Sequence, residues 1–318
     1  MREHQRSDPA AVAIAVAIGA LVAAAAAVMP HPVRLHGVDL GDIGLPLAGI
    51  EQMQHGGSPY DVRLRGSSPT LYPFTAMIVL WPLHLLPLRF VVPLFTGLTA
   101  GALAFAITRN GERWQLLIFL SPAFWSAVHS VQWSPLFTAA LLLPPLLPIA
   151  VVKPQLGIVL AASGRWSLRT ILATGVLLVL SMAVWPAWPA EWIAHGNLHT
   201  FNGASPLLVF PGILLAASLV AWRTREGRLM ISMSVVVQRY FYDHLPLYLV
   251  ARSWREMVLL LAASWAAVGV AALHSPIDLT SGVQRKDVWV AVIIGVFLPA
   301  LGLTLYHHWR PAAPAPTG

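Results

Sequence analysis

The sequence predicts an all-α polytopic membrane bundle, and three observations carry that prediction. Hydrophobic residues make up 57% of the 318 residues, only 10% are charged, and the mean hydropathy is +0.68. A water-soluble fold of this length could not hide so much apolar surface beneath a polar exterior. The apolar runs are continuous rather than alternating, which favours helices over a membrane barrel, because backbone groups in hydrocarbon need partners within their own segment. Arginines fall in short clusters between those runs, the pattern of cytoplasmic loops.

From the N-terminus, Ala10–Met29 follows Arg2 and Arg6. It is long for a signal-peptide core and right for a span, so it reads as a retained first helix with its N-terminus in the cytoplasm. Residues 30–70 then form a polar external loop. Further apolar segments are expected at about 71–88, 90–108, 114–128, 134–152, 155–164, 168–185, 206–222, 229–242, 256–273 and 287–306, giving roughly 9–11 membrane segments. Several are too short to cross or carry proline, as in "LLLPPLLP", the mark of broken or re-entrant helices around a cavity. Pro82 and Pro87 predict that 71–88 stops short of crossing, which keeps Arg109 and Arg113 on the cytoplasmic side. One membrane domain over 1–309 and a disordered tail over 310–318 complete the organisation.

With the arginine clusters inside, the polar stretches 30–70, 129–134, 153–155, 186–204, 240–246 and 274–286 gather on the outer side. The net charge of +7 is accounted for by cytoplasmic loops, with no basic, aromatic-interleaved stripe for nucleic acid. The absence of cysteine excludes disulfides and thiolate sites. His129, His195, His199 and His244 fall on the outer side, but no helical ligand spacing accompanies them, so neither a metal nor a cofactor is expected. Trp133, Trp185, Trp188 and Trp192 are placed to serve as interfacial belt residues or as sugar platforms.

In the external loop, Asp39, Asp42, Glu51 and Asp61 fall together. A carboxylate held at a membrane surface can act as a general base. Asp39 or Asp42 could equally cap the short helix that follows. Lys153, at an outer break, could contact a phosphate or snorkel to headgroups. Arg239, Arg63 and Arg65 are further candidates to stabilise a departing phosphate.

The order of Asp42, Ala48, Gly56, Tyr60 and Tyr72-Pro73 resembles the first external loop of the GT-C superfamily of membrane glycosyltransferases, in particular glycosyltransferase family 87, the polyprenyl-phosphate-mannose-dependent mannosyltransferases. "LYPF" stands where that family has "YPP". The resemblance continues through "VQWSPL" (131–136), "VVKPQLGIVLAASGRWSLR" (151–169) and "YFYDHLPLYLVARSWR" (240–255). It implies an inverting cell-envelope hexosyltransferase in the bacterial inner membrane, its active site on the extracytoplasmic face. Such an enzyme moves a sugar, mannose in family 87, from a polyprenyl-phosphate donor to a glycolipid or glycan acceptor. By that resemblance Asp42 is the base, with Asp39 its rival, and His244 lies beside it. Lys153 contacts the donor phosphate, and Tyr60, Tyr72, Gln132, Gln155 and Tyr242 line the substrate site. A transporter and a non-catalytic subunit of a larger complex are the competing expectations.

Overall fold

The computed structural model describes residues 8–62, 64, 72–110, 113–197, 205–237, 242–274 and 286–310. Four of its helices are long and apolar enough to cross a membrane, and a fifth is added if the bent pair at 168–195 counts as one span. Several long apolar helices in a bundle with almost no strand define an integral membrane protein of the all-α class.

Helix α1 (Pro9–Val28) opens with a proline in its first turn, and the Asp8 carboxylate accepts from the Ala10 N–H. It buries Ala11, Ala15, Gly19, Val22 and Ala26, one residue per turn on a single stripe, and packs against α4 (Leu88–Arg109). A Cβ built on Gly19 would lie 2.8 Å from the Gly97 carbonyl oxygen, and one on Gly101 would lie 3.1 Å from that of Ala15. The small residues let the two backbones touch, as in helix pairs packed within lipid. These contacts also fix α4 antiparallel to α1, so Arg109 lies at the end of the bundle where α1 begins.

Between them, the short strands β1 (Arg34–Leu35) and β2 (Val38–Asp39) pair antiparallel. Then come α2 (Gly44–Gln54) and α3 (Phe74–His84). The latter, 11 residues long, is too short to span, as Pro82 and Pro87 lead one to expect.

Beyond α4 the chain is built largely from half-length pieces. The 3-10 segment Arg113–Leu120 leads through Ser121, whose hydroxyl caps α5 (Pro122–His129). Next come α6 (Ser134–Leu142), the 3-10 segment Pro144–Val151 and α7 (Pro154–Ser163). The apolar stretch 134–152, where "LLLPPLLP" marks a broken or re-entrant helix in the sequence, is a hairpin. Pro144, Pro145 and Pro148 remove donors and end the α-helix there, returning the chain to its starting depth as 3-10 backbone.

Helix α8 (Leu168–Val184) turns by 89° into α9 (Trp188–Asn197). The 3-10 segment Gly212–Ala221, α10 (Arg225–Val235), the 3-10 segment Leu245–Val250 and α11 (Trp254–His274) follow. The last span joins α12 (Lys286–Val292), a π turn at Ile293–Phe297 and α13 (Leu298–Trp309).

Arginines tie one end of the bundle together. The Arg225 guanidinium donates to the carbonyls of Ser163 (3.3 Å) and Leu141, and Arg228 donates to that of Ala162 at 2.9 Å. The last carbonyls of α6 and α7 thus receive cationic donors. Arg252 pairs with Glu226 at 3.1 Å, and Glu256 joins the Arg252 N–H to His307. Every arginine cluster from 109 to 310 is reached at this end by following the chain up and down.

Candidate functional site

The half-length pieces share one property: their other ends meet. At about 1.5 Å per α residue and about 2.0 Å per 3-10 residue, α6, α7, α10 and the 3-10 segments Pro144–Val151 and Leu245–Val250 rise only about 12–16 Å from the arginine end. That is half of the roughly 30 Å of a bilayer's hydrocarbon. From the opposite end, α3 descends to the same depth, and its Thr75 hydroxyl donates to the Val151 carbonyl at 2.6 Å. The first turns of α6, α7 and Leu245–Val250 each carry a proline; α6 and α7 begin here, and the first N–H groups of an α-helix have no partner within it.

The polar side chains of the junction form a chain of hydrogen bonds. The Lys153 ammonium donates to Asp243 Oδ1 at 2.6 Å and to Gln132 Oε1 at 3.2 Å. The Gln132 amide N–H donates in turn to Asp42 Oδ2. Ser134 donates to Asp243 at 3.5 Å, the Tyr72 hydroxyl to Gln132 at 3.4 Å, and the Tyr242 ring centroid lies 5.1 Å from Lys153 Nζ. Lys153, Gln132 and Asp243 are 5%, 2% and 0% exposed, whereas Asp42 is half-buried.

Backbone strain places that aspartate. Gly41 (φ 58°) and Val131 (φ 51°) both occupy the left-handed region, which disfavours β-branched residues strongly. The two turns interlock: the Asp42 N–H donates to the Ser130 carbonyl at 2.9 Å, and a Cβ on Gly41 would lie 2.8 Å from that oxygen. His31 strengthens the join, its ring nitrogens lying 2.7 Å from the His129 carbonyl and 2.9 Å from that of Ala26. The N-cap positions of the adjoining 3-10 turn and of α2 are Leu40 and Ile43, so Asp42 is the N-cap residue of neither.

Asp39 stands apart. It is held by Arg34 across the hairpin, and that hydrogen-bonded guanidinium keeps its carboxyl below the usual range. Its partner is a cation on the outer surface, not the polar junction.

Above the junction, α9 folds over the loop. Glu191 accepts from Ser58 (2.5 Å) and from the Trp185 indole (3.2 Å), and His195 lies 3.2 Å from Asp61. Tyr60 is buried beneath this layer, and that burial, with the Glu191 charge next, pushes its phenol above the usual range. Tyr60 is therefore enclosed beneath α9.

The sequence-level candidates thus divide. Asp42, Gln132, Lys153, Tyr72 and Tyr242 come together, and Gln155 sits half-buried in the first turn of α7. His244, 3% exposed, has its ring tilted against that of Phe297, centroids 6.3 Å apart, and lines a small cleft with residues of α5, α11 and α12. Arg63, Arg65, Arg239 and His199 lie outside the described residues. Trp133 is neither belt nor platform: it is 1% exposed, with its ring edge-on to Phe95 at 5.0 Å. The ionisable residues do not simply gather at the outer surface either, because the Lys153–Asp243 pair is buried at the junction.

Asp243, Ser134 and Glu191 were not singled out from the sequence. For Asp243 a signal existed: a carboxylate between an aromatic pair and a histidine, in a stretch otherwise apolar. Among the described residues no three His, Asp or Glu side chains are grouped to hold a metal ion.

The fold and the site define a helical integral membrane protein with a buried, charged junction of half-helices. No family model, no curated protein and no solved structure matches the chain.

Proposed function

We propose that this chain is an inverting glycosyltransferase of the GT-C type. It transfers a hexose, mannose by the family 87 resemblance, from a polyprenyl-phosphate donor to an acceptor hydroxyl on the extracytoplasmic face of the bacterial inner membrane. The observation that carries the reading is the half-buried Asp42 carboxylate at the far end from the arginines, oriented by Gln132, which the buried Lys153–Asp243 pair holds in turn.

In the reaction, Asp42 takes the proton of the acceptor hydroxyl as its oxygen bonds to the anomeric carbon. The bond from that carbon to the phosphate oxygen breaks on the opposite face, and polyprenyl phosphate leaves. A phosphate needs little protonation to depart, so one carboxylate suffices. The ammonium of Lys153 is engaged by Asp243, which gives it a positioning role through Gln132. Stabilisation of the leaving phosphate comes from the N–H groups opening at α6 and α7, with Arg63, Arg65 and Arg239 as further candidates.

A second reading, a transporter, is favoured by one observation. Half-helices whose ends meet around a buried ion pair suit a binding site for alternating access. Proteoliposomes separate the two. Sugar transfer from a lipid-linked donor that Asp42→Asn abolishes supports the enzyme; solute uptake without any lipid-linked sugar supports the transporter.

A further inference from the structure

At the arginine end, two turns are stitched together by their own cations. One joins α7 to α8; the other runs from Trp222 into the first turn of α10. Arg225 donates to the carbonyls of Ser163 and Leu141, and Arg228 to those of Ala162 at 2.9 Å and Arg223 at 3.0 Å. Among the described residues Nη1 of Arg225 and Nη2 of Arg228 have no partner, although the bonds of the other nitrogens hold both guanidiniums in place. Arg165, Arg169 and Arg223 complete the patch. All three are exposed, and Arg223 only lies 5.8 Å from the Trp222 ring centroid.

The two turns hold almost nothing to offset these five charges. Residues 162–170 include no acidic side chain, and 221–228 include one, Glu226, which Arg252 engages at 3.1 Å. Burial, and next the charge of Arg165, hold the Arg225 guanidinium below its ordinary value, so the turns repel each other where hydrogen bonds join them. The patch is edged by apolar side chains. Leu168 and Leu172 of α8 are 70% and 59% exposed, and Val220 and Trp222, leading into the other turn, are 56% and 55% exposed. Helices of this bundle are long and apolar enough to cross a membrane, and the charged ends of such helices lie at headgroup level.

We propose that the patch of Arg165, Arg169, Arg223, Arg225 and Arg228 binds the phosphodiester headgroup of an anionic phospholipid, and that this lipid is the counter-ion of the two turns. Planar guanidiniums offer paired N–H donors to phosphate oxygens. The acyl chains continue along the apolar edge at Leu168 and Trp222, which favours a lipid over a free phosphate. The site lies at the opposite end of the bundle from Asp42, so lipid binding is independent of sugar transfer.

The test uses the full chain in detergent micelles, with native mass spectrometry to titrate bound lipid and thermal unfolding as a second readout. The probes are phosphatidylglycerol, phosphatidylcholine with the same acyl chains, and glycerol phosphate. Phosphatidylglycerol should bind more tightly than phosphatidylcholine and raise the unfolding midpoint. Arg165→Gln and Arg223→Gln remove exposed side chains and leave the carbonyl bonds of Arg225 and Arg228 in place. Each should weaken phosphatidylglycerol binding about fivefold, the worth of one cation near a headgroup surface, and the double variant about twentyfold. Without lipid, the variants should unfold at or above the native midpoint, because each removes repulsion. Arg109→Gln, at the same end but on α4, should leave binding unchanged.

Equal retention of the two phospholipids overturns the proposal. So does an equal loss of binding in Arg109→Gln, which makes the attraction a diffuse property of this end rather than of the patch. Displacement of the lipid by glycerol phosphate assigns the patch to a soluble phosphate and overturns the lipid assignment. Lower lipid-free midpoints in both glutamine variants overturn the counter-ion role.

Discussion

Replacing Lys153 with Met, Asp243 with Asn, or both separates a buried pair from its parts. The two side chains are 6% and 0% exposed and 2.6 Å apart. At that distance an effective dielectric constant of about 20 gives about 6 kcal/mol of attraction, offset by several kcal/mol of desolvation for each ion. The pair as a whole therefore contributes little net stability. Removing one partner leaves a charge at the junction of five half-helices and costs about 3–5 kcal/mol. Each single variant should be destabilised by that amount, and the double variant should recover at least half of the loss. The assay is denaturant unfolding of the solubilised protein, followed through the fluorescence of its 13 tryptophans. Single losses that simply add in the double variant would refute the reasoning, as would single variants as stable as the native chain.

Three further outcomes follow from the geometry. Gly41→Ala forces a side chain into the left-handed region and against the Ser130 carbonyl; it should cost about 1–2 kcal/mol and lower sugar transfer by displacing Asp42, as unfolding and turnover measurements on one preparation would show. Gly97→Leu on α4 pushes away α1, whose Gly19 carbonyl lies 2.9 Å from the position of an added Cβ; a loss of about 1–3 kcal/mol is expected, read as a lower unfolding midpoint, with little change if the facing residue is exposed to lipid instead. For Asp39 the folded-state carboxyl is depressed by Arg34, so its contribution is present above the ordinary carboxylate range and is lost as pH falls through the lower folded value. Asp39→Asn should thus flatten the acid limb of a stability-versus-pH curve while leaving transfer at neutral pH intact, a combination that comparing the two curves and rates would test.

Much of the fold was legible because lipid imposes simple rules. The runs read at 10–29, 90–108, 256–273 and 287–306 match long helices to within a few residues, since a span needs length and apolarity and little else. The prolines correctly marked 71–88 as a partial helix. At 134–152 the three prolines in five residues marked a break as well, and there the chain turns back as a hairpin. Composition cannot distinguish these cases, because a half-helix is acceptable in a membrane only if other half-helices cover its ends, and that is a property of the assembled bundle.

The site was legible residue by residue but not as a network. Asp42 stood out as a carboxylate in a polar loop, Lys153 as a cation after an apolar run, and Gln132 through the resemblance of "VQWSPL". That Lys153 is held by Asp243, 90 residues away, appears only when α7 and the segment after α10 begin at one depth. Likewise, Asp39 and Asp42 are three residues apart with the same chemistry. What separates them is Gly41, whose left-handed turn sends one carboxylate to the junction and leaves the other on the hairpin.

The rate of sugar transfer by Asp42→Asn, measured in proteoliposomes with a polyprenyl-phosphate hexose, tests the role of this carboxylate most directly. A loss of about 10²–10⁴-fold in turnover is expected, the worth of a positioned base, with donor binding and the unfolding midpoint close to those of the native chain. Turnover within a few-fold of native would contradict it, and the carboxylate would then be a structural ligand of Gln132.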